Sequence, residues 1–267
     1  MLDRYRQMTE TALEQNLYTD RLAPILVESM RYGLLNGGKR IRPSLLLCVC
    51  EMLGGKAENA LPFACALEMI HSYSLVHDDL PAMDNDDYRR GKPSNHKQFG
   101  EANAILAGDG LLTEAALLLS KQVGNDAAKA EILSAALDMV SGQSYDLNEI
   151  ERNEPMLHLL HAQKTGALFR AAFAAGAHLA GRSDLAEPFS KLGQAIGLLF
   201  QITDDVLDAE KDRAENKFTY LTFYGEARSR SYIQETEQQI LFALAPYDNA
   251  PARELKAVVR QMTNRTE

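Results

Sequence analysis

The sequence predicts an all-α protein, and three observations support this. Alanine and leucine are abundant, tryptophan is absent, and alternating runs of Val, Ile and Thr typical of strands are scarce. Hydrophobic residues make up 46% of the 267 positions and charged residues 24%, a composition that supplies a sizeable core. No linker, short repeat or low-complexity block interrupts the chain, so we expect one domain over residues 1–267.

Three long apolar segments predict the central helices. Residues 101–121 are apolar on nearly every side, as expected of a helix in the centre of a bundle. Residues 164–181 are rich in Ala and Gly, which lets neighbouring helices approach closely, and residues 189–207 form an apolar segment that ends in acid. Breaks between elements are predicted at residues 36–38, 54–55, 91–95, 152–155 and 181.

Charge and cysteine content exclude some classes of function. The net charge of −9 argues against non-specific nucleic-acid binding, which depends on clustered Lys and Arg. It does not exclude a small anionic substrate, because bound cations can reverse the local field. The cysteines lack metal-ligand spacing and predict buried thiols in a reducing compartment: Cys48, Cys50 and Cys65. No segment approaches a membrane span and the first residues are too polar for a signal peptide, so we expect no stable membrane insertion and a cytoplasmic protein.

Two acidic clusters are the most unusual feature of the sequence. The first covers residues 78–84 (DDLPAMD) and the second residues 204–208 (DDVLD). Asp204 and Asp208 are four residues apart and share one helix face, where like charges destabilise the helix unless a cation lies between them. In the first cluster, Pro81 and the longer spacing predict a helix end, after which Asp84 returns toward Asp78.

The clusters predict a magnesium site. Mg²⁺ is typically bound by one or two carboxylates and completes its shell with water and substrate phosphate. A calcium loop is excluded, because the sixth position counted from Asp84 is Arg89 rather than Gly. The alternative is a solvated acidic patch at a helix end. Two features disfavour it: each cluster abuts a strongly apolar segment, and each has nearby basic or amide groups that a phosphate would need.

Basic side chains recur close to these clusters. Residues 37–43 (GGKRIRP) combine a Gly-Gly pair, which allows close backbone approach, with Lys39 and Arg42 as phosphate ligands. Further candidates for diphosphate contacts are Arg89 and Arg90 directly after the first cluster, Lys164 and Thr165 within residues 163–166 (QKTG), and His71, two helical turns before Asp78.

Together these motifs resemble those of the short-chain trans-prenyl diphosphate synthases, most closely the bacterial farnesyl diphosphate synthases, with geranylgeranyl synthases close behind. The matching stretches are residues 37–43, 71–96, 164–169 (KTGALF) and 200–208 (FQITDDVLD). The resemblance extends from about residue 25 to the end of the sequence. It implies an isoprenoid synthase type fold, in which an all-α bundle surrounds a deep central cavity and the two aspartate motifs face each other across its mouth. It also implies a homodimer.

The resemblance implies a role for each candidate residue. The metal ligands would be Asp78 and Asp84 for two Mg²⁺ ions and Asp204 for a third, supported by Asp79, Asp205 and Asp208. The allylic diphosphate would be held by Arg89, Lys164 and Lys217. Isopentenyl diphosphate would be held by Lys39, Arg42, His71 and Arg90. Oxygens would be presented to the allylic cation by Thr165 and Gln201.

The implied reaction is a Mg²⁺-dependent condensation of isopentenyl diphosphate with dimethylallyl or geranyl diphosphate. Metal and basic residues neutralise the departing diphosphate, and an apolar cavity keeps water from the carbocation. Product length depends on the cavity floor, where Tyr73 and Ser74 lie five and four residues before Asp78. A bulky Tyr73 favours the fifteen-carbon farnesyl diphosphate. A geranylgeranyl diphosphate synthase is the alternative.

The sequence departs from the family's pattern after Asp208. The family usually continues through a Gly-Asp…Gly-Lys loop before a Lys-x-Thr-Tyr element, whereas this chain reaches residues 217–220 (KFTY) through a much shorter connection. We expect that a loop belongs near Glu210-Lys211 and is missing from this sequence. If the deletion is real, a diphosphate-binding lysine is lost, and the chain could be an impaired regulatory subunit that only binds prenyl diphosphates. A terpene cyclase is disfavoured, because it would not need the second diphosphate site.

Overall fold

The structure is a computed structural model that describes residues 2–17, 20–148, 150–207, 209 and 217–264. α-Helices form almost all of it, as the sequence predicts. In the first half they are α1 (Asp3–Asn16), α2 (Pro24–Leu35), α3 (Ile41–Met52), α4 (Ala57–Asp78), α5 (Asn95–Phe99), α6 (Glu101–Ser120) and α7 (Asp126–Leu147). In the second half they are α8 (Glu154–His161), α9 (Ala167–Leu179), α10 (Ala186–Leu207), α11 (Tyr220–Tyr224), α12 (Glu226–Ala243) and α13 (Ala250–Thr263).

The helices pack into a bundle whose most enclosed members are α3, α4 and α9. Helix α4 packs along α6 and α3, and α9 contacts α3, α7 and α10. The core is filled by large side chains that are almost wholly buried, among them Phe63, Phe169 and Phe173. Burial of this apolar surface is the main force that holds such a bundle together.

Local sequence explains several helix boundaries. Helix α2 begins with Pro24, whose missing N–H is not needed in the first turn. The side chain of Asn153 caps α8 by accepting a hydrogen bond from the N–H of Met156, and Thr219 forms a capping box with Thr222 at the start of α11. Gly100, with φ +83°, separates α5 from α6, because this backbone conformation strains residues that carry a Cβ.

One short hairpin interrupts the helices of the described chain. Strand β1 (Tyr88–Arg89) pairs antiparallel with β2 (Lys92–Pro93), with Tyr88 opposite Pro93. The two turn residues, Arg90 and Gly91, both have positive φ, as a tight type I′ turn requires. The sequence predicted a break at residues 91–95. It did not predict that a hairpin would hold the paired arginines.

Helix α6 is less central than the sequence predicted. The apolar segment 101–121 does form a helix, but Ile105 and Leu106 are 45% and 54% exposed on one side of it. This helix is also long and apolar enough to cross a membrane by length and composition. The expectation that no segment approaches a span was therefore wrong for α6, although buried core helices of soluble proteins meet the same criteria.

A π-helical turn at Ala162–Gly166 joins α8 to α9. π-Turns are rare and occur mostly as single turns at functional sites. This turn packs against α7 at Gly142, where an added Cβ would meet the backbone nitrogen of Lys164. Gly142 therefore permits a backbone contact that positions Lys164 and Thr165.

Replacing Gly142 by Ala should destabilise the protein, because backbone atoms cannot rotate away as a side chain can. We expect the free energy of unfolding to fall by about 1–3 kcal/mol, the usual cost of overpacking, as measured by denaturant unfolding. The matched control is Gly110→Ala in α6, where the new Cβ would meet only the flexible side chain of Met30. Equal stability of the two variants would contradict this account.

Candidate active site

A cavity of about 430 Å³ lies between α4, α7 and the π-turn; we call it the main cavity because it joins the first acidic cluster to the π-turn. Its lining combines Asp78 at the end of α4 with Lys164 and Thr165 of the π-turn. Met139, Val140 and Gln143 of α7 form part of the wall. The cavity therefore has acidic and basic groups as well as apolar surface, as a site for an amphipathic ligand requires.

The first acidic cluster folds back on itself. Helix α4 ends at Asp78, and the N–H of Asp84 donates to the carbonyl oxygen of Asp78 at 2.8 Å. Asn85 has φ +53° and donates its N–H to Leu80, which closes the turn. The return of Asp84 toward Asp78, predicted from Pro81 and the spacing, is confirmed.

The electrostatics of this cluster suit a divalent cation. Burial raises the pKa of Asp78 to about 7; Lys164 and Arg89 lower the pKa, while Asp84 and Asp79 raise it further. Burial and the neighbouring carboxylates both disfavour the charged form of Asp78, and a bound cation would stabilise that form. Within the described residues, no group of three His, Cys, Asp or Glu side chains could hold a metal by itself. Mg²⁺ needs only one or two carboxylates besides water and substrate oxygens, so the donors fit it.

Asp79 and Arg89 are engaged with each other. Asp79 is buried, and its Oδ1 accepts hydrogen bonds from Nε of Arg89 at 2.9 Å and from Nη2. Arg89 Nη2 also contacts Asp86 at 3.3 Å. Both Asp79 and Arg89 line a small neighbouring cavity rather than the main one. In this geometry Asp79 holds Arg89 at the edge of the site.

A basic pocket of about 550 Å³ adjoins the main cavity. It gathers the four residues for which the family resemblance implies contacts with isopentenyl diphosphate: Lys39, Arg42, His71 and Arg90. Arg42 and His71 line both the basic pocket and the main cavity, so the two spaces meet there. Residues that are far apart in the sequence thus form one continuous site.

The basic residues hold one another in fixed positions. Arg42 lies over the ring of Phe169, 4.7 Å from its centroid, and its Nη1 is 3.3 Å from Nε2 of His71. Burial lowers the pKa of Arg42 to about 10. Burial, followed by the charges of Arg42 and Arg90, holds the pKa of His71 well below its usual value. His71 is therefore neutral near pH 7, and its Nε2 accepts from Arg42.

Arg90 reaches across to the glycine turn. Its Nη1 donates to the carbonyl of Gly37, and its guanidinium lies against Gly38. A Cβ at Gly38 would be 2.6 Å from Cζ of Arg90, and Gly38 has φ +119°. The positive φ favours glycine at position 38, and an added Cβ there would also displace the flexible end of Arg90.

A chain of hydrogen bonds joins the π-turn to the second acidic cluster. Thr165 donates to Oε1 of Gln201 at 2.6 Å, and Nε2 of Gln201 donates to Oδ1 of Asp205 at 2.7 Å. The other oxygen of Asp205 accepts from the N–H of Tyr220 at 3.0 Å. Thr165 lines the main cavity whereas Gln201 does not. Gln201 thus orients Thr165, which is the residue that presents its oxygen to the cavity.

Lys217 lies beside this chain of bonds. It lines a cavity of about 600 Å³ together with Asp84 and Asp146. The bond from Tyr220 to Asp205 fixes the start of α11, three residues after Lys217. The position of Lys217 therefore depends on Asp205, whatever the length of the connection before it. Asp208 and the break near Glu210-Lys211 lie outside the described residues.

Asp204 lies near Arg42, and the two floor residues lie in the main cavity. Asp204, in the last turn of α10, is close enough to raise the pKa of Arg42 by its charge. Tyr73 and Ser74 both line the main cavity. Tyr73 is 6% exposed, and its ring packs edge-on against that of His77 with centroids 5.8 Å apart.

Sequence analysis missed several residues of the site. Asp146 forms an ion pair with Lys164, and its place near the end of α7 gave no motif of its own. Arg40 and Glu68 form a buried ion pair in the basic pocket. A signal for Glu68 was available, because a lone carboxylate inside the apolar run of α4 needs a buried partner.

Comparison with known proteins assigns the chain to a family. A family model described as polyprenyl synthetase matches residues 23–241, and the chain belongs to the polyprenyl synthetase family. It is a prenyltransferase of the trans-prenyl diphosphate synthase type, as its motifs predicted.

Individual relatives carry different names. A farnesyl diphosphate synthase of Micrococcus luteus is 43% identical over 237 residues, covering 79% of this chain and 79% of the relative. A geranylgeranyl diphosphate synthase of Cyanophora paradoxa is 44% identical over 244 residues, covering 81% of each. The crystal structure of a geranyltranstransferase from Thermotoga maritima has a TM-score of 0.88 and 33% identity, with 98% of both chains covered. The isoprenoid synthase type fold predicted from the motifs is confirmed.

Replacing Asp205 by Asn should loosen the segment around Lys217. Asparagine offers one acceptor oxygen in place of two, so either Gln201 or the N–H of Tyr220 loses its partner. We expect a loss of about 1–3 kcal/mol in the free energy of unfolding and faster tryptic cleavage after Lys217. The control is Asp184→Asn, which removes an exposed carboxylate paired with Arg182. Unchanged cleavage in Asp205→Asn would contradict the proposed hydrogen-bond chain.

Proposed function

We propose that this prenyltransferase condenses isopentenyl diphosphate with dimethylallyl and geranyl diphosphate in a Mg²⁺-dependent reaction and that its main product is farnesyl diphosphate. This proposal rests on one observation: the main cavity and the basic pocket meet at Arg42 and His71. Asp78 lines the main cavity together with Lys164, whereas the basic pocket is lined by four cations and the single carboxylate of Glu68. A chain-elongating enzyme needs this pair of diphosphate sites, because it must bring two diphosphates together.

The residues of the chain would divide the reaction between them. Asp78, Asp84 and Asp204 would hold Mg²⁺, which as a Lewis acid stabilises charge on the departing diphosphate. Lys164, paired with Asp146, lies in the main cavity where its charge can also balance that diphosphate. Thr165, oriented by Gln201, turns an oxygen toward the developing carbocation.

The basic pocket would hold the second substrate. Lys39, Arg42 and Arg90 supply the positive charge for its diphosphate, and neutral His71 can add a hydrogen bond. The double bond of isopentenyl diphosphate would then attack the allylic carbon, forming a carbon–carbon bond. The proton lost from the adduct would pass to the released diphosphate, which balances the reaction.

The direct test is incubation with labelled isopentenyl diphosphate and geranyl diphosphate, followed by separation of products by chain length. We expect a fifteen-carbon product in the presence of Mg²⁺ and none after chelation with EDTA. Absence of elongation under any condition would overturn the proposal and favour a regulatory subunit that only binds prenyl diphosphates. The shortened connection after Asp208 is what suggests the regulatory subunit as an alternative.

The farnesyl assignment rests on Tyr73. Its buried ring lines the main cavity below Asp78 and limits the space for a longer chain. Geranylgeranyl diphosphate is the second candidate, because relatives of both names are similar to this chain at 43% and 44% identity.

Replacing Tyr73 by Ala should lengthen the product, because removal of the ring extends the cavity. We expect mainly twenty-carbon product from the variant and fifteen-carbon product from the unmodified protein, measured by chromatography of the dephosphorylated prenols. Tyr73→Phe keeps the bulk of the ring and should leave the product unchanged. A twenty-carbon product from the unmodified protein would overturn the role given to Tyr73.

We also propose that the protein is a homodimer. On α7, Leu133 and Leu137 are exposed by 41% and 71% and lie four residues apart, on one helix face. Ile105 and Leu106 of α6 are exposed as well. An apolar helix face of this kind, repeated on a second copy, can bury itself across a two-fold axis. The cytoplasmic location stays a prediction from the sequence.

Replacing Leu137 by Glu should produce a monomer, because a dimer would then bury an unpaired charge at its interface. Analytical ultracentrifugation measures the change. Phe242→Glu is the matched control, since Phe242 is 83% exposed and lies on a different helix, α12. A monomeric unmodified protein at micromolar concentration would contradict the proposed dimer.

A further inference from the structure

The basic pocket contains an ion pair that the proposed reaction does not use. Nη1 of Arg40 lies 2.7 Å from Oε1 of Glu68, and both side chains are only 2% exposed. Nη2 of Arg40 donates to the carbonyl of Leu34 at 2.7 Å. Arg40 thus ties the turn between α2 and α3 to the end of α2 and to the middle of α4.

The backbone of Arg40 is held in an unfavourable conformation. Its φ is +48°, in the left-handed region, which is unfavourable for a residue with a Cβ. Arg40 immediately precedes α3, and its carbonyl oxygen accepts a hydrogen bond from the N–H of Ser44 in the first helical turn. This conformation sets the directions of Lys39 on one side and of Arg42 on the other.

The pair also balances charge within the pocket. Among the lining residues are four cations and one carboxylate, that of Glu68. The charge of Glu68 supports the protonated state of Arg42 and of Arg90, whose pKa values burial lowers. A buried ion pair contributes little net stability compared with an apolar pair of the same volume. Stability alone therefore does not account for this pair beside a ligand pocket.

We propose that the Arg40–Glu68 pair is a positioning element for the diphosphate of the non-allylic substrate. It fixes Lys39 and Arg42 in the geometry that binds the diphosphate, and neither of its own side chains needs to contact the ligand. This inference rests on the proposed function, because it names the substrate whose affinity depends on the pair. Loss of the pair should weaken the binding of isopentenyl diphosphate selectively, since Asp78, Asp84 and Lys164 do not line the basic pocket.

The test uses the double variant Arg40→Met/Glu68→Leu, which removes both charges while keeping apolar bulk. It avoids the unpaired buried charge that either single variant leaves and that could prevent folding. The matched control is Arg4→Met/Glu51→Leu, which removes the ion pair between α1 and α3, whose Nη1–Oε2 distance is also 2.7 Å. Thermal unfolding measures whether each variant is folded.

We expect the folded double variant to show a KM for isopentenyl diphosphate raised about tenfold or more, because small misplacements of binding groups cost up to about 10²-fold. The KM for geranyl diphosphate should change less than about twofold, because its site is separate from the Arg40–Glu68 pair and distant sites usually respond independently. Arg40→Lys keeps the charge but not the planar fork of the guanidinium. Its KM for isopentenyl diphosphate should lie between those of the unmodified protein and the double variant. The Arg4/Glu51 control should leave both KM values unchanged.

Calorimetric titration with isopentenyl diphosphate alone separates this inference from the proposed function, because it needs no turnover. Weaker binding by the folded double variant, with normal binding by the control, supports the inference. Equal affinity of the double variant and the unmodified protein would overturn it. A rise of both KM values together would also overturn it, since that indicates a general structural effect. Absence of elongation by the unmodified protein would instead count against the proposed function.

Discussion

The burial of α4 is the constraint on which the rest of the site depends. This one helix carries Glu68, His71, Tyr73 and Asp78, and it is packed against α3, α6 and α9. At 1.5 Å per residue, the ten positions from Glu68 to Asp78 span about 15 Å. The basic pocket, the cavity floor and the acidic cluster are therefore spaced along one rigid element. Their separation cannot vary unless the packing of α4 changes.

The second half of the chain completes the site through hydrogen bonds rather than through apolar packing alone. Asp205 accepts from Gln201 and from the backbone of Tyr220, so a single buried carboxylate connects the π-turn, α10 and α11. Gly142 lets α7 approach the π-turn closely enough to form the opposite wall. Each of these contacts places a polar group at the cavity while leaving the helices continuous.

Much of this could be predicted from the sequence, because long apolar segments and dense motifs carry strong local signals. The helices at residues 101–121 and 189–207, the turn that returns Asp84 to Asp78 and the family itself were all predicted. Contacts between distant segments were not. The pairing of Lys164 with Asp146 and of Arg40 with Glu68 depends on how α4, α7 and the π-turn pack, which no local pattern encodes. The exposed side of α6 was missed for a related reason, since composition does not reveal which face lacks a neighbour.

The central claim is that an acidic, metal-dependent site and a basic, metal-independent site adjoin within one chain. Calorimetry in the presence and absence of Mg²⁺ tests it most directly, using isopentenyl diphosphate and a non-hydrolysable thiolo analogue of geranyl diphosphate. The account predicts that isopentenyl diphosphate binds with or without Mg²⁺, that the analogue binds only with Mg²⁺, and that both bind together. Competition between the two ligands for a single site, or an equal Mg²⁺ requirement for both, would contradict it.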